Sequence, residues 1–114
     1  MKSWEINSDG GIENLAINER KVPKMETGEV LIQVRASSLN YRDLMTVEYP
    51  SERKVNLPMT PNSDCAGEVI AIGPGVKNVG LGDRVMGCFF QNWSSGKITL
   101  SAMNSAFNPT LPID

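Results

Sequence analysis

Glu29-Val30-Leu31-Ile32-Gln33-Val34-Arg35-Ala36 is the stretch on which the fold turns. Val30, Ile32 and Val34 alternate with Leu31, Gln33 and Arg35, so the segment is expected to be a strand with its β-branched side turned inward. The Thr27-Gly28 turn introduces it, and Ser37-Ser38-Leu39 leads out of it. Downstream, Asn40-Tyr41-Arg42-Asp43-Leu44-Met45 predicts a helix of one or two turns. Asn40 is a good N-cap, and Asp43, three positions on, completes a weak capping box. Upstream, residues 4–7 and 15–18 read as short strands, with Ser8-Asp9-Gly10-Gly11 letting the chain reverse between them.

Beyond the helix, residues 49–62 hold Pro50, Pro58 and Pro61 and little periodicity, which predicts a loop. Residues 66–73 predict another strand, ended by Pro74-Gly75, and Arg84-Val85-Met86-Gly87 begins one more. Short strands with glycine turns between them point to a mainly β fold, a small, partly open barrel with short helices. Leu100, Met103 and Phe107 recur at helical spacing and suggest a weak amphipathic helix over residues 98–107. Residues 108–114 follow with two prolines and no polar tail, so the chain reads as cut short.

The 114 residues allow one domain at most, and 40% hydrophobic with 21% charged residues argues against disorder and against a coiled coil. The sequence contains no His, which removes the commonest general base, the commonest zinc ligand, and every Ser-His or Cys-His nucleophile pair. The 11 Lys and Arg are scattered among 13 Asp and Glu, which leaves no footprint for nucleic acid. Cys65 and Cys88 lack CxxC spacing and read as small buried hydrophobes in a reducing compartment. No apolar run is long enough to span a membrane, and the N-terminus has no secretory h-region, so a cytoplasmic protein is expected.

Four blocks in order carry a resemblance: Gly28-Glu29-Val30-Leu31-Ile32-Gln33-Val34, Ser38-Leu39-Asn40-Tyr41-Arg42-Asp43, Asp64-Cys65-Ala66-Gly67-Glu68-Val69 and Gly80-Leu81-Gly82-Asp83-Arg84-Val85. Together they resemble the N-terminal, GroES-like catalytic domain of the medium-chain dehydrogenase/reductases, on the zinc-free quinone oxidoreductase branch. The resemblance implies a GroES-like domain over residues 1–114, incomplete at its C-terminal end, and a Rossmann domain for NAD or NADP that this chain lacks. Gly73-Pro74-Gly75-Val76-Lys77-Asn78 is no substitute, because Asn stands where the third glycine of a dinucleotide fingerprint belongs and Pro74 opposes a helix start. It reads as a hairpin connection.

In zinc-dependent members a Cys follows the long strand and a Gly-His-Glu block precedes the next. Here the matching positions are Asn40 and Asn62-Ser63-Asp64, so no metal is expected. Without zinc, a hydrogen-bond donor must polarise the substrate carbonyl. Tyr41 can donate from its phenol and Asn40 from its amide, although Tyr41 also reads as a partly buried aromatic with a satisfied hydroxyl. By resemblance, Tyr41 and Arg42 lie on the nicotinamide side of the cofactor, Arg42 otherwise being a solvent-facing charge. Asp43 orients the turn. Ser63, Asp64, Met45 and Phe89 are substrate-side candidates, with core packing the alternative for Phe89.

The expected activity is hydride transfer from NAD(P)H to a polarised C=C or C=O bond of a small molecule, such as a quinone, enone, aldehyde or ketone. The chain alone is expected to be inactive and to bind no cofactor. A free-standing GroES-like binding or oligomerisation module and a zinc-type alcohol dehydrogenase domain are the alternatives. An incomplete barrel also leaves strand edges through which copies of the chain could associate.

Overall fold

The structure, a computed structural model, describes residues 1–8 and 10–105. In chain order these form β1 (Lys2–Ile6), a 3-10 turn (Ile12–Asn14), β2 (Leu15–Glu19), β3 (Val30–Ala36), α1 (Tyr41–Glu48), β4 (Ala66–Ile72), β5 (Arg84–Met86) and α2 (Leu100–Asn104). They divide into two units, one built from Met1–Val22 and Leu39–Ser63, the other from Pro23–Ser38 and residues 64–105.

In the first unit β1 and β2 pair antiparallel without a break in register, from Lys2 opposite Glu19 to Ile6 opposite Leu15. The far side of β1 meets the proline-rich loop, where Ile6 and Met59 exchange backbone hydrogen bonds of 2.8 and 3.0 Å. Ile6, Val47 and Met59 are the buried apolar residues here. The turn before the 3-10 segment needs glycine for a packing reason. A Cβ on Gly10 would run into the carbonyl of Glu48, and Gly11 at φ 119° donates its N–H to Val47 over 2.9 Å.

One charged side chain lies in this interior. Glu5 is 2% exposed. Arg20 clamps it through two 2.7 Å bonds from Nε and Nη2, while Ser3 and Asn18 each donate over 2.9 Å. With four donors the buried carboxylate is fully satisfied, the condition under which burial of a charge is tolerated.

In the second unit the strand order is β3-β4-β5, all antiparallel. The long strand predicted from the alternation is present, but its inward face holds only in part. Val30 and Ile32 are half-buried, whereas Val34 is 52% exposed. Val34 lies opposite Gly67, which offers no side chain to pack against, and a Cβ on Gly67 would strike the Gln33 carbonyl. The register slips on either side of this stretch, between Leu31 and Ile32 and between Val34 and Ala36.

The described strands form two open sheets of two and three strands, in keeping with the mainly β, partly open architecture expected. Other expectations are corrected. Cys65 is buried, but Cys88 is exposed because it lies past the end of β5, outside the ladder. Of the helix expected over residues 98–107, α2 forms five residues capped by Thr99, whose hydroxyl accepts from Ala102 N–H over 3.1 Å. Its buried residue is Ala102, while Leu100 and Met103 are exposed; Phe107 and residues 108–114 lie outside the described residues. Gly73-Pro74-Gly75 forms a turn against Gly28 and Glu29, through 2.8 Å bonds from Gly28 N–H to Pro74 and from Gly73 N–H to Glu29. No described helix is long and apolar enough to cross a membrane.

The Arg20 clamp, helped by Asn18 and Ser3 and opposed by burial, lowers the Glu5 carboxyl from 4.5 to about 2. A lowered acid pKa stabilises the fold above the unfolded value and ceases to do so as pH falls through the folded one. The chain should therefore lose on the order of 2–3 kcal/mol between pH 4.5 and 2, less than a fully enclosed pair because Arg20 is 40% exposed. Glu5→Gln should be less stable at neutral pH and flatter across that window, as read by urea denaturation at a series of pH values.

Candidate active site

The chain leaves β3 and starts α1 within five residues, and the residues at that helix start organise themselves. Asn40 is extended, with φ −120° and ψ 156°, and forms a capping box with Asp43. Its N–H donates to Asp43 Oδ2 over 2.8 Å, and its side chain accepts from the Asp43 N–H in return. The second Asp43 oxygen faces the hydroxyl of Ser63 at 3.5 Å. Asp43 and Ser63 are 4% and 2% exposed, so this contact lies beneath the turn. Thr46, also buried, donates its hydroxyl to the Arg42 carbonyl over 2.9 Å. An acid in the first turn also complements the helix dipole.

This arrangement turns the other side of the helix start outward. Tyr41, the first helical residue, is 76% exposed, which removes the reading of it as a partly buried aromatic. Leu39 and Leu44 are exposed around it, while Arg42 and Met45 are half-buried on the same helix. Chemically, the corner combines a phenol and an amide with apolar neighbours, a donor set suited to an oxygen that gains charge.

Of the candidates read from the sequence, Asn40, Asp43 and Ser63 come together through hydrogen bonds, and Tyr41, Arg42 and Met45 share their helix. Asp64 and Phe89 belong to the second unit. There Asp64 accepts from Ser38 on Oδ2 over 3.0 Å and from Ser37 on its carbonyl over 2.6 Å. Ser37 and Ser38 were not singled out in the sequence. The signal lies in the β3–β4 register, which sets Ala36 opposite Ala66 and so carries the next residues toward Asp64. Phe89 stacks edge-to-face on Phe90 at 4.7 Å, and Phe90 on Trp93 at 6.2 Å. Beside Asp64, burial pushes the Cys65 thiol up.

The donors do not suit zinc. Asn40 and Ser63 offer neutral oxygens already engaged in the turn, and no three His, Cys, Asp or Glu side chains converge among the described residues.

Residues 26–106 match the model of the alcohol dehydrogenase GroES-like domain. The chain belongs to this family. A zinc-type alcohol dehydrogenase-like protein of Schizosaccharomyces pombe is 39% identical over 101 residues, covering 88% of this chain and 29% of that protein. The structure of the quinone oxidoreductase from Coxiella burnetii matches with a TM-score of 0.69 at 35% identity, over 76% of this chain and 29% of the other. That of the Escherichia coli quinone oxidoreductase complexed with NADPH matches with a TM-score of 0.67 at 28% identity, over 75% and 26%. These place the GroES-like domain within the medium-chain dehydrogenase/reductases, with the chain spanning less than a third of each relative.

The capping box should dominate the stability of the corner. Asp43→Ala removes the acceptor for Asn40 N–H and strands the Ser63 hydroxyl, and should cost about 2 kcal/mol. Ser63→Ala, which loses only a long contact, should cost under about 1 kcal/mol. Urea denaturation of the two variants gives the order, and equal losses would shift the weight onto Ser63.

Proposed function

We propose that this chain is the catalytic-domain portion of a zinc-independent, NAD(P)H-dependent reductase that passes hydride to a polarised C=C or C=O bond. The observation that carries the reading is the capped turn that holds Asn40 in place and leaves the Tyr41 phenol exposed beside it. In this reading Tyr41, with Asn40, donates a hydrogen bond to the substrate oxygen, where negative charge grows as hydride reaches the carbon framework. Asp43 fixes the turn, and Ser63, buried beneath it, acts through Asp43. Arg42 serves the ribose or phosphate of the cofactor. Met45 on α1 and, in the other unit, Asp64 and Phe89 are substrate-side candidates, the apolar Met45 and Phe89 favouring hydrophobic substrates such as quinones and enones.

The nicotinamide cofactor, NADH or NADPH, supplies the hydride, and polypeptide outside these residues supplies most of its binding. The likeness to a quinone oxidoreductase complexed with NADPH supports that assignment, as does the lack of a dinucleotide fingerprint in residues 1–114. Zinc independence is supported by the residues at the matching positions, Asn40 and Asn62-Ser63-Asp64, where neither Cys nor His stands, even though one relative is named as zinc-type. We assign the protein to the cytoplasm, with a small molecule rather than nucleic acid as its partner.

In the polypeptide that joins this chain to its nucleotide-binding remainder, Tyr41→Phe should lower kcat about 10²-fold with quinone and NADPH, the scale for losing one donor to a developing oxyanion. Dialysis against a chelator should leave activity unchanged. The 114-residue chain alone should show no turnover and no NADPH binding tighter than about 1 mM. Full activity of Tyr41→Phe would sink the reading.

A further inference from the structure

The hydrogen bonds of the first sheet decide which backbone groups of β2 face outward. At one end Met1 and Arg20 exchange bonds, and at the other Ile6 sends both its groups to Met59 and none to Leu15. Bonded and non-bonded pairs alternate along an antiparallel ladder, so Ser3–Asn18 and Glu5–Ala16 are the bonded pairs between these ends. Ile17 and Glu19 therefore point both N–H and C=O away from β1. Leu15 points its C=O the same way, its N–H being taken by the Ile12 carbonyl. Among the described residues no strand pairs with this side of β2.

The side chains match this open edge. Trp4 and Ile17 stand directly opposite one another and are 56% and 54% exposed, an aromatic and β-branched pair facing water. The longer edge strand, β3, is protected by two register slips, with the charged Arg35 at one of them, features that keep a free edge from recruiting another strand. β2 has neither. Its register is unbroken, it has no proline, and its one charged residue, Glu19, sits at its end.

We propose that the protein self-associates through this edge, β2 pairing antiparallel with β2 of a second copy about a two-fold axis at Ile17. That axis sets Ile17 opposite Ile17 and Leu15 opposite Glu19. Four backbone hydrogen bonds close, two between the Ile17 residues and two from Glu19 N–H to Leu15 C=O. On the sheet face, Trp4-Ile17-Ile17-Trp4 becomes one apolar row across four strands. Glu19 keeps its own Lys2 as its cross-strand neighbour and stays clear of the other copy's Glu19. Moving the axis to Asn18 sets Ile17 against Glu19 instead, which makes the Ile17 register the favoured one. The occupant is thus a second copy, because in this register the edge matches itself in backbone donors and acceptors and in apolar surface and sets no like charges opposite one another. The contact is small, so the association is weak. It does not depend on the reductase reading above.

Sedimentation velocity on the 114-residue chain from about 1 to about 200 μM, with a reducing agent so that exposed Cys88 forms no cross-link, tests this. A concentration-dependent monomer–dimer equilibrium is expected. Ile17→Lys should raise Kd at least about tenfold and Val34→Lys on β3 should leave it unchanged. Hydrogen exchange on the unsubstituted chain guards against misfolded variants: the Ile17 and Glu19 amides should slow at high concentration. Monomer mass throughout, association undiminished by Ile17→Lys, or new protection confined to β3 would each overturn the proposal.

Discussion

The pairing of β3 with β4 is the constraint that the larger part of the chain obeys. Val30 lies opposite Ile72 and Ala36 opposite Ala66, so one ladder carries the strongest strand of the sequence from end to end. From it follow the approach of Ser37 and Ser38 to Asp64, the buried position of Cys65 and the attachment of β5 through Ala66, Gly67 and Glu68. The ladder tolerates no side chain at Gly67, where the Gln33 backbone comes too close for a Cβ. A glycine there is thus part of the pairing, and the exposure of Val34 follows from it.

What the sequence revealed and what it hid divide along physical lines. The period of two in residues 29–36 and the Asn40–Asp43 spacing are local signals; the strand and the capped helix start are both present, though the strand's inward face holds only as far as Ile32. The Glu5–Arg20 clamp joins residues whose proximity depends on the hairpin register, and nothing in either residue alone announces it. The same holds for Met59, a loop residue recruited to β1, and for Ser37 and Ser38. Burial was least legible. Cys88 and Leu100 are apolar by type and exposed by position, Cys88 past the end of β5 and Leu100 in the first turn of a five-residue helix.

At the helix start, one set of hydrogen bonds gives the same turn two different faces. Asp43 and Ser63 are withdrawn from water, and the Asp43 carboxylate holds the Asn40 N–H. Tyr41 is left outside with Leu39 and Leu44. In the proposed reading, with no histidine in the sequence, the chemistry falls to neutral donors that act by position. Rigidity of the turn is accordingly the property on which the proposed chemistry rests.

The N-terminal hairpin has a consequence in time as well as in space. Every strand pair of β1 with β2, the Arg20 clamp on Glu5 and the bond from the Met1 ammonium to the Arg20 carbonyl lie within the first 20 residues. The β3–β4 ladder, by contrast, must wait until residues near 72 exist. On an emerging polypeptide the hairpin can close before the larger sheet, with short loops and a low entropic cost of closure, while the larger sheet is delayed by its long connection. The order of synthesis thus lets β1 and β2 pair before β4 exists to pair with β3.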